Sequence, residues 1–368
     1  MRILITGNSG YVGPCVTRQL RLTWPNARLT GVDTEYFGDC AVEPSGTEAD
    51  QQVNADIRDL SGSVFNNVDA VVHLAALSND SLAKTFESAT DEINYGATAD
   101  LAKKAKKAGV KSFVLASTCR VYAMSNDDAA RTEASPLSPG TAYSRSKLAA
   151  EAALRSLAGR EFTVTCLRFA TACGMSPGLR LDTVLNNDVA CAVLSGEVRV
   201  MSNPDAWLKL IHVRDMARAI DWAVARPGAN GGSHVWVNAG SDAWTLRVGE
   251  LAQVVADAIP HTRISPRVSF PREAAPDTGS YLVDFGLFRR LAPLHQPREK
   301  LLPSILELKT SLEKYLAQNG KDTSRLNRLK VLSRLVEQGQ IDGDLRRTKT
   351  PGILCTPESR EFAFSNPA

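Results

Sequence analysis

The opening stretch MRILITGNSGYVG restricts the fold of this chain more than any other. An apolar, β-branched run, Arg2–Thr6, leads into a loop carrying Gly7, Gly10 and Gly13, and a helical pattern over about 11–22 follows. Glycine at these points lets the backbone turn sharply and approach a pyrophosphate. The start of the helix then offers free N–H groups and the positive end of its dipole. Asp33 ends a second apolar run, ARLTGVD. A carboxylate there accepts hydrogen bonds from the adenosine ribose and repels a 2′-phosphate, so the pattern predicts a dinucleotide site that takes NAD rather than NADP. In NADIRD, Asp56 stands where a carboxylate takes the adenine amino group; a helix cap is its alternative role.

Further apolar runs follow at 68–75 (VDAVVHLA), 110–117 (VKSFVLAS) and 161–170 (EFTVTCLRFA), separated by helical patterns around 84–108 and 141–158. Near-continuous apolar strands alternating with helices predict a parallel sheet covered on both faces. After Gly174 the pattern loosens. The spacing places a first domain at 1–170 with a return segment at about 210–237, and a second lobe at 171–317, mainly 171–209 and 238–317. A basic amphipathic helix and a polar tail occupy 318–368, read as an interface or lid helix packed on the body. The formal net charge of +3 argues against nucleic acid or a membrane surface as partner. No apolar run approaches the ~18 residues of a membrane span, and the start of the chain lacks a signal-peptide layout. Seven cysteines without CxxC pairing predict reduced cytoplasmic thiols and no metal site.

YSRSK puts Tyr143 and Lys147 four apart, on one helix face. A free tyrosine, with a pKa of about 10, is a poor base near neutrality. An ammonium beside it favours the phenolate, so Lys147 is expected to bring Tyr143 into a working range and to reach the nicotinamide ribose. Thr118, at a strand end, would hold the substrate hydroxyl that Tyr143 deprotonates. Ser117, one place earlier, should face the other side.

With TGNSGYVG, Asp33, HLAALSND, STCRVY, YSRSK, LRFATACG, RLDTVLNN and LIHVRD in this order, residues 1–317 resemble the extended short-chain dehydrogenase/reductase family, in its nucleotide-sugar epimerase/dehydratase branch. The resemblance implies an enzyme of the α/β class: a Rossmann-type doubly wound parallel sheet that binds NAD, with a smaller carboxy-terminal α/β substrate-binding lobe. It implies Thr118, Tyr143 and Lys147 as the catalytic set. Cofactor contacts are implied for Gly7, Ser9, Gly10, Tyr11, Val12, Asp33, Asp56, Ile57, Leu74, Ala75, Ala76 and Asn94, besides Tyr143 and Lys147. Substrate contacts are implied for Ser78, Asn79, Thr118, Cys119, Arg120, Thr171, Arg180, Asn186, Asn187 and Lys209. For the two asparagines 186 and 187, helix capping is the alternative. The resemblance also implies a homodimer built on the helices around 84–108 and 141–158.

Members of this branch oxidise C4 of a sugar nucleotide to a transient ketone. An epimerase returns the hydride to the other face, whereas dehydratases carry an Asp-Glu pair directly after the threonine. Here those places hold Cys119 and Arg120, and an arginine is neither acid nor base near neutrality. The expectation is therefore a nucleotide-sugar 4-epimerase. The alternatives are a net dehydrogenase/reductase or non-standard dehydratase on a related hydroxylated metabolite, and an NAD-binding regulator. Two departures stand out: Leu208 and Gly279 occupy places where the branch carries arginines that contact a diphosphate. Each charged hydrogen bond of that kind contributes about 1.5–3 kcal/mol. Either Lys209, Arg180 or Arg272 replaces them, or the substrate is not an ordinary sugar nucleotide. Cys173, in place of a common tyrosine, suggests a reshaped pocket, and His212 reads as structural.

Overall fold

A computed structural model describes residues 1–44, 49–123, 129–200, 203–265 and 281–348. The chain begins with β1 (Arg2–Thr6), α1 (Gly13–Thr23), β2 (Arg28–Asp33), β3 (Gln51–Asn54) and β4 (Ala70–His73). Next come α2 (Asp80–Thr85), α3 (Glu87–Asp91), a π-helical turn at Glu92–Ala97 and α4 (Thr98–Lys107). β5 (Ser112–Thr118), α5 (Ala142–Leu157) and β6 (Thr163–Phe169) complete the first part. The remainder runs β7 (Thr171–Cys173), α6 (Val184–Ser195), β8 (Glu197–Arg199), β9 (Trp207–His212), α7 (Val213–Ala225) and β10 (His234–Ala239). It ends with β11 (Thr245–Arg247), α8 (Val248–Ala258), β12 (Arg263–Ser265), α9 (Gly286–Leu291), α10 (Leu301–Asn319) and α11 (Arg328–Glu337).

Seven strands form one parallel sheet in the order β10-β6-β5-β4-β1-β2-β3. The apolar runs account for this: every residue of β4 is buried, as a strand covered on both faces requires. Alternation along β5 divides the core. Phe113 and Leu115 pack with Ala150 and Leu154 of α5, while Val114 faces the side of α1 and α7. Sheet order reverses between β1 and β4, and a crevice opens there at the carboxyl ends of the strands. After β6 the chain lays down β7 and β9, returns through α7 and β10 to the main sheet, and then adds β11 to complete a small sheet in the order β11-β9-β7. Among the described residues no helix is long and apolar enough to cross a membrane.

Two helical segments differ from their sequence pattern. The single helix expected over 84–108 is broken at Phe86 and widens into the π-turn, which swings Asn94 inward to a fully buried position. The basic helix expected from Gly320 onward is the ten-residue α11. It ends before Gly339, which takes φ +67°, and the chain then doubles back in a bridge between Ile341 and Arg347.

One buried ion pair joins helix to sheet. Glu151 of α5 meets Arg168 of β6, with Nη2–Oε2 at 2.6 Å and Nε–Oε1 at 3.1 Å, and both side chains are at most 2 % exposed. Ser117 donates its hydroxyl to the same carboxylate, Arg168 Nη1 donates to the Tyr122 hydroxyl at 3.0 Å, and Tyr122 donates to Asn238 Oδ1 at 2.6 Å. Removing one partner strands a buried charge. Glu151→Leu is therefore expected to lose about 3–5 kcal/mol of stability, and the double variant Glu151→Leu/Arg168→Met to recover most of it. Urea unfolding of the three proteins checks this.

Candidate active site

The crevice at the sheet's switch point is a cleft of about 840 Å³. Its floor is the glycine loop. Gly7 takes φ +74°, and a Cβ there would come within 2.6 Å of Ala75 N; at Gly13 a Cβ would come within 2.2 Å of Asn8 O. No side chain is tolerated at either place, so the backbone itself is the binding surface. Gly10, Tyr11 and Val12 continue this wall, and Leu74, Ala75 and Ala76 form the opposite one.

Asp33 and Asp56 line the far end. Asp33 accepts the Ser9 N–H at 3.1 Å and the Glu35 N–H at 2.8 Å, while burial raises its pKa. Ser9 thus orients Asp33 and does not itself line the cleft. Asp56 caps the short turn that follows it, accepting the Arg58 N–H at 2.9 Å, and both its oxygens meet the Arg58 guanidinium, the shortest contact at 2.6 Å. Ile57, beside it, is buried in the wall. A dinucleotide cradle of this shape, with glycines at the turn and a carboxylate at the end of β2, fits NAD.

Between the two halves stand Thr118, Tyr143 and Lys147. Thr141 and Ser144 form a capping box that starts α5, placing Tyr143 in its first turn and Lys147 one turn on. Lys147 is 2 % exposed, and its Nζ donates to Ala116 O at 2.9 Å. Burial lowers its pKa to about 8, opposed by Glu151. The Thr118 hydroxyl accepts the Arg120 N–H at 3.1 Å and helps to lower the Tyr143 pKa. Ser117 is on the α5 side, held by Glu151.

The tuning of Tyr143 differs from the sequence expectation. Burial pushes its pKa up to about 12, the Asp80 carboxylate adds to that, and the groups that pull it down are Arg120, Arg180 and the Thr118 hydroxyl. Lys147 donates to Ala116 O, and the cations that pull the phenol down, Arg120 and Arg180, come from the loops. Arg120, which is no acid or base, sits in the cleft as such a cation, paired with Asp80 at 2.6 Å.

The other side of the cleft is lined by Ser78, Asn79, Cys119, Thr171, Arg180 and Lys209, expected to meet substrate, together with Tyr281 and Asp182. Arg180 is buried and forks onto Asp182, with Nη2–Oδ2 at 2.6 Å, and its Nη1 donates to Ser78 Oγ at 2.6 Å. Asn79 caps α2 through Leu82 N and donates to Asp182 at 2.6 Å. Lys209 Nζ lies 4.1 Å from the centre of the Tyr281 ring, and burial lowers its pKa to about 8. Cys119 is a buried thiol bonded to Arg168 O, raised by burial to about 12.

Three expected contacts are corrected. Asn94 is fully buried away from the cleft, where it bonds both the N–H and C=O of Leu77 and also Ser146, so it braces the loop after β4. Asn186 turns inward to Gly174 N, Tyr11 OH and Arg180 O. Its neighbour Asn187 points to solvent. Both follow from α6 presenting one face to the core and the other outward. Gly279 and Arg272 lie outside the described residues. Sequence reading assigned no role to Asp80 and Asp182, although they stand inside the HLAALSND and RLDTVLNN stretches, nor to Tyr281; all three meet the cleft through the tertiary fold.

A family model of the NAD dependent epimerase/dehydratase family matches residues 3–240. The dTDP-D-glucose 4,6-dehydratase of Mus musculus is 29% identical over 164 residues, 42% of this chain and 45% of that protein. The dTDP-glucose 4,6-dehydratase of Streptomyces griseus is 34% identical over 151 residues, 39% of this chain and 46% of that one. These matches thus span about half the length of the curated relatives. Among solved structures, UDP-glucose-4-epimerase from Stenotrophomonas maltophila with bound NAD superposes with a TM-score of 0.73 at 23% identity, covering 86% of this chain and 99% of that one. DesIV, the dTDP-glucose 4,6-dehydratase from Streptomyces venezuelae with NAD bound, gives 0.68 at 23%, covering 87% and 98%. Both share the fold.

A 2′-phosphate placed beside Asp33 would meet a half-buried carboxylate. NADP is expected to bind at least about tenfold more weakly than NAD, and Asp33→Ser to narrow the gap. Calorimetric titration of both dinucleotides measures it.

Proposed function

The chain belongs to the NAD-dependent epimerase/dehydratase family, and from that membership we propose that it is a nucleotide-sugar 4-epimerase. The glycine loop and Asp33 would hold NAD, which would supply reversible hydride acceptance at the carbon that carries the substrate hydroxyl. Thr118 holds that hydroxyl, and Tyr143 accepts its proton and later gives it back. Arg120 and Arg180 favour the phenolate against burial. Lys147, anchored on Ala116, faces the ribose side.

The observation that carries this reading is the chemistry of the two residues next to Thr118, Cys119 and Arg120. Epimerisation needs no acid or base beyond Tyr143. Dehydration needs a second pair, and the two adjacent places hold a thiol raised to about 12 and an ion-paired arginine. Incubation with UDP- and dTDP-hexoses in D₂O, followed by NMR, is expected to give the C4 epimer with no deuterium at C5. A 4-keto-6-deoxy product carrying C5 deuterium would overturn the reading. Tyr143→Phe is expected to lower kcat roughly a hundred- to ten-thousandfold.

One observation favours a second reading, a dehydratase of altered layout. The Asp80 Oδ1 atom is buried in the cleft without a hydrogen-bond partner, and Asp80 acts electrostatically on Tyr143. The curated relatives are themselves named as 4,6-dehydratases. The same NMR assay separates the two, and in this second case Asp80→Asn would abolish C5 exchange.

For the diphosphate of a sugar nucleotide, Lys209 takes the part left open by Leu208. It loses its proton as pH rises through about 8, so kcat/KM is expected to fall above that value. Lys209→Met should raise KM at neutral pH and remove that fall. A pH series of initial rates on both proteins checks it. We infer as well a homodimer through the outward faces of the helices around 84–108 and 141–158, where Tyr95 stays 39% exposed; sedimentation of the purified protein tests it.

A further inference from the structure

The carboxy-terminal segment crosses the cofactor side of the cleft. Arg328, Leu332 and Leu345 line it beside Asp33 and Asp56. The crossing is pinned along its length. Arg58, already held by Asp56, donates to Asp344 O at 2.8 Å and to Leu345 O at 3.1 Å. The Tyr36 hydroxyl donates to Leu345 O at 2.9 Å, and Arg347 donates to Thr34 O at 2.7 Å. Arg346 pairs with Asp59 and Glu92, each at 3.1 Å. These anchors follow β2 and β3 or sit on the π-turn, the same wall that carries Asp33 and Asp56.

Within the crossing one group is unsatisfied. Arg328, at the first position of α11, is 4% exposed. Its Nη2 donates to Gly178 O at 2.7 Å, and its guanidinium carbon lies 4.4 Å from the centre of the Phe37 ring. Its Nη1 is buried with no partner. The carboxylates near enough to act on it are Asp182 and Asp33, and the Arg180 guanidinium opposes it. Asp182 is taken by Arg180 and Asn79, and Asp33 by two backbone N–H groups. Burial lowers the Arg328 pKa to about 10. Gly178 packs so closely on the glycine loop that a Cβ there would come within 2.3 Å of Gly10 O. A buried cation without a counter-ion is costly, and this one lies a single residue away from the loop built for phosphate.

We propose that Arg328 supplies its free guanidinium nitrogen to a pyrophosphate in the cleft, that this pyrophosphate is the one in NAD, and that segment 328–348 closes the adenosine side over it. Nucleotide sugars carry the same group, but Arg328 sits between Gly178 and the wall of Asp33 and Asp56, on the cofactor side. The inference rests on NAD binding alone and not on which sugar is turned over.

The test titrates NAD and UDP separately into nucleotide-stripped, full-length wild type, Arg328→Met and Arg328→Lys. The NAD Kd is expected to rise roughly ten- to hundredfold in Arg328→Met and less in Arg328→Lys, with the UDP Kd unchanged. The thermal midpoint of nucleotide-free Arg328→Met should be no lower than wild type, since that variant removes an unpaired buried charge. An unchanged NAD Kd in both variants overturns the proposal, as does weakened UDP binding with NAD unaffected. If Arg328→Met does not fold, the NAD-induced rise in midpoint of Arg328→Lys against wild type carries the comparison, and an equal rise overturns it.

Discussion

The position of the Tyr143 phenol depends on a contact two helical turns away. Tyr143, Lys147 and Glu151 share one face of α5 at four-residue spacing, and Glu151 is locked to Arg168 of β6 and Ser117 of β5. With that end fixed and Lys147 tied to Ala116 O, the helix can neither roll nor slide without stranding charge in the core. Two buried ions are costly to desolvate, and an apolar pair of similar volume would often be no less stable. What Glu151 and Arg168 contribute here is register: they hold the first turn of α5 against the end of β5, where Thr118 stands.

The electrostatics of the cleft follow from burial set against a few cations. A phenol and an ammonium are both taken out of water, so Tyr143 moves up and Lys147 moves down, each toward its neutral form. Neither alone is a working acid–base pair near neutrality. Arg120 and Arg180, from separate loops, restore some phenolate character. Their own carboxylate partners, Asp80 and Asp182, keep them in place and limit how far they act. The net result is a cationic site whose charges are mostly spoken for, with Lys209 and one nitrogen of Arg328 left open.

How much of this was legible in the sequence depended on range. The glycine loop, Asp33, the strand ending at Thr118 and the Tyr143–Lys147 pair could be read because each is a short-range pattern whose geometry is set by the backbone. Asn94, Asn186 and Asn187 could not. A polar side chain at a helix start looks the same whether it turns to a ligand or to a backbone loop, and the π-turn that buries Asn94 leaves no distinctive periodicity. The sequence pairs Tyr143 with its neighbour at i+4; burial acts on the phenol first, and then Asp80, Arg120 and Arg180, which only the fold brings near. Arg328 was one basic residue among many in a segment read as a packed helix. Nothing local distinguishes it from Arg325 or Arg334.

The closure of the cleft and the proposed chemistry constrain each other. A dehydrogenase that discharges a reduced cofactor after each turnover gains from an open adenosine side, because release then lies on its catalytic path. An epimerase or dehydratase returns the hydride within the same site, so release of NAD serves no step. In this chain the adenosine side is crossed by a segment held through Arg58, Tyr36, Arg346 and Arg347. The contacts are dispersed over two loops and the π-turn, so opening the wall means breaking several charge-assisted bonds together. That expense is reasonable only where opening is rare, and it weighs toward a cofactor kept in place while substrates come and go on the side of Lys209 and Tyr281.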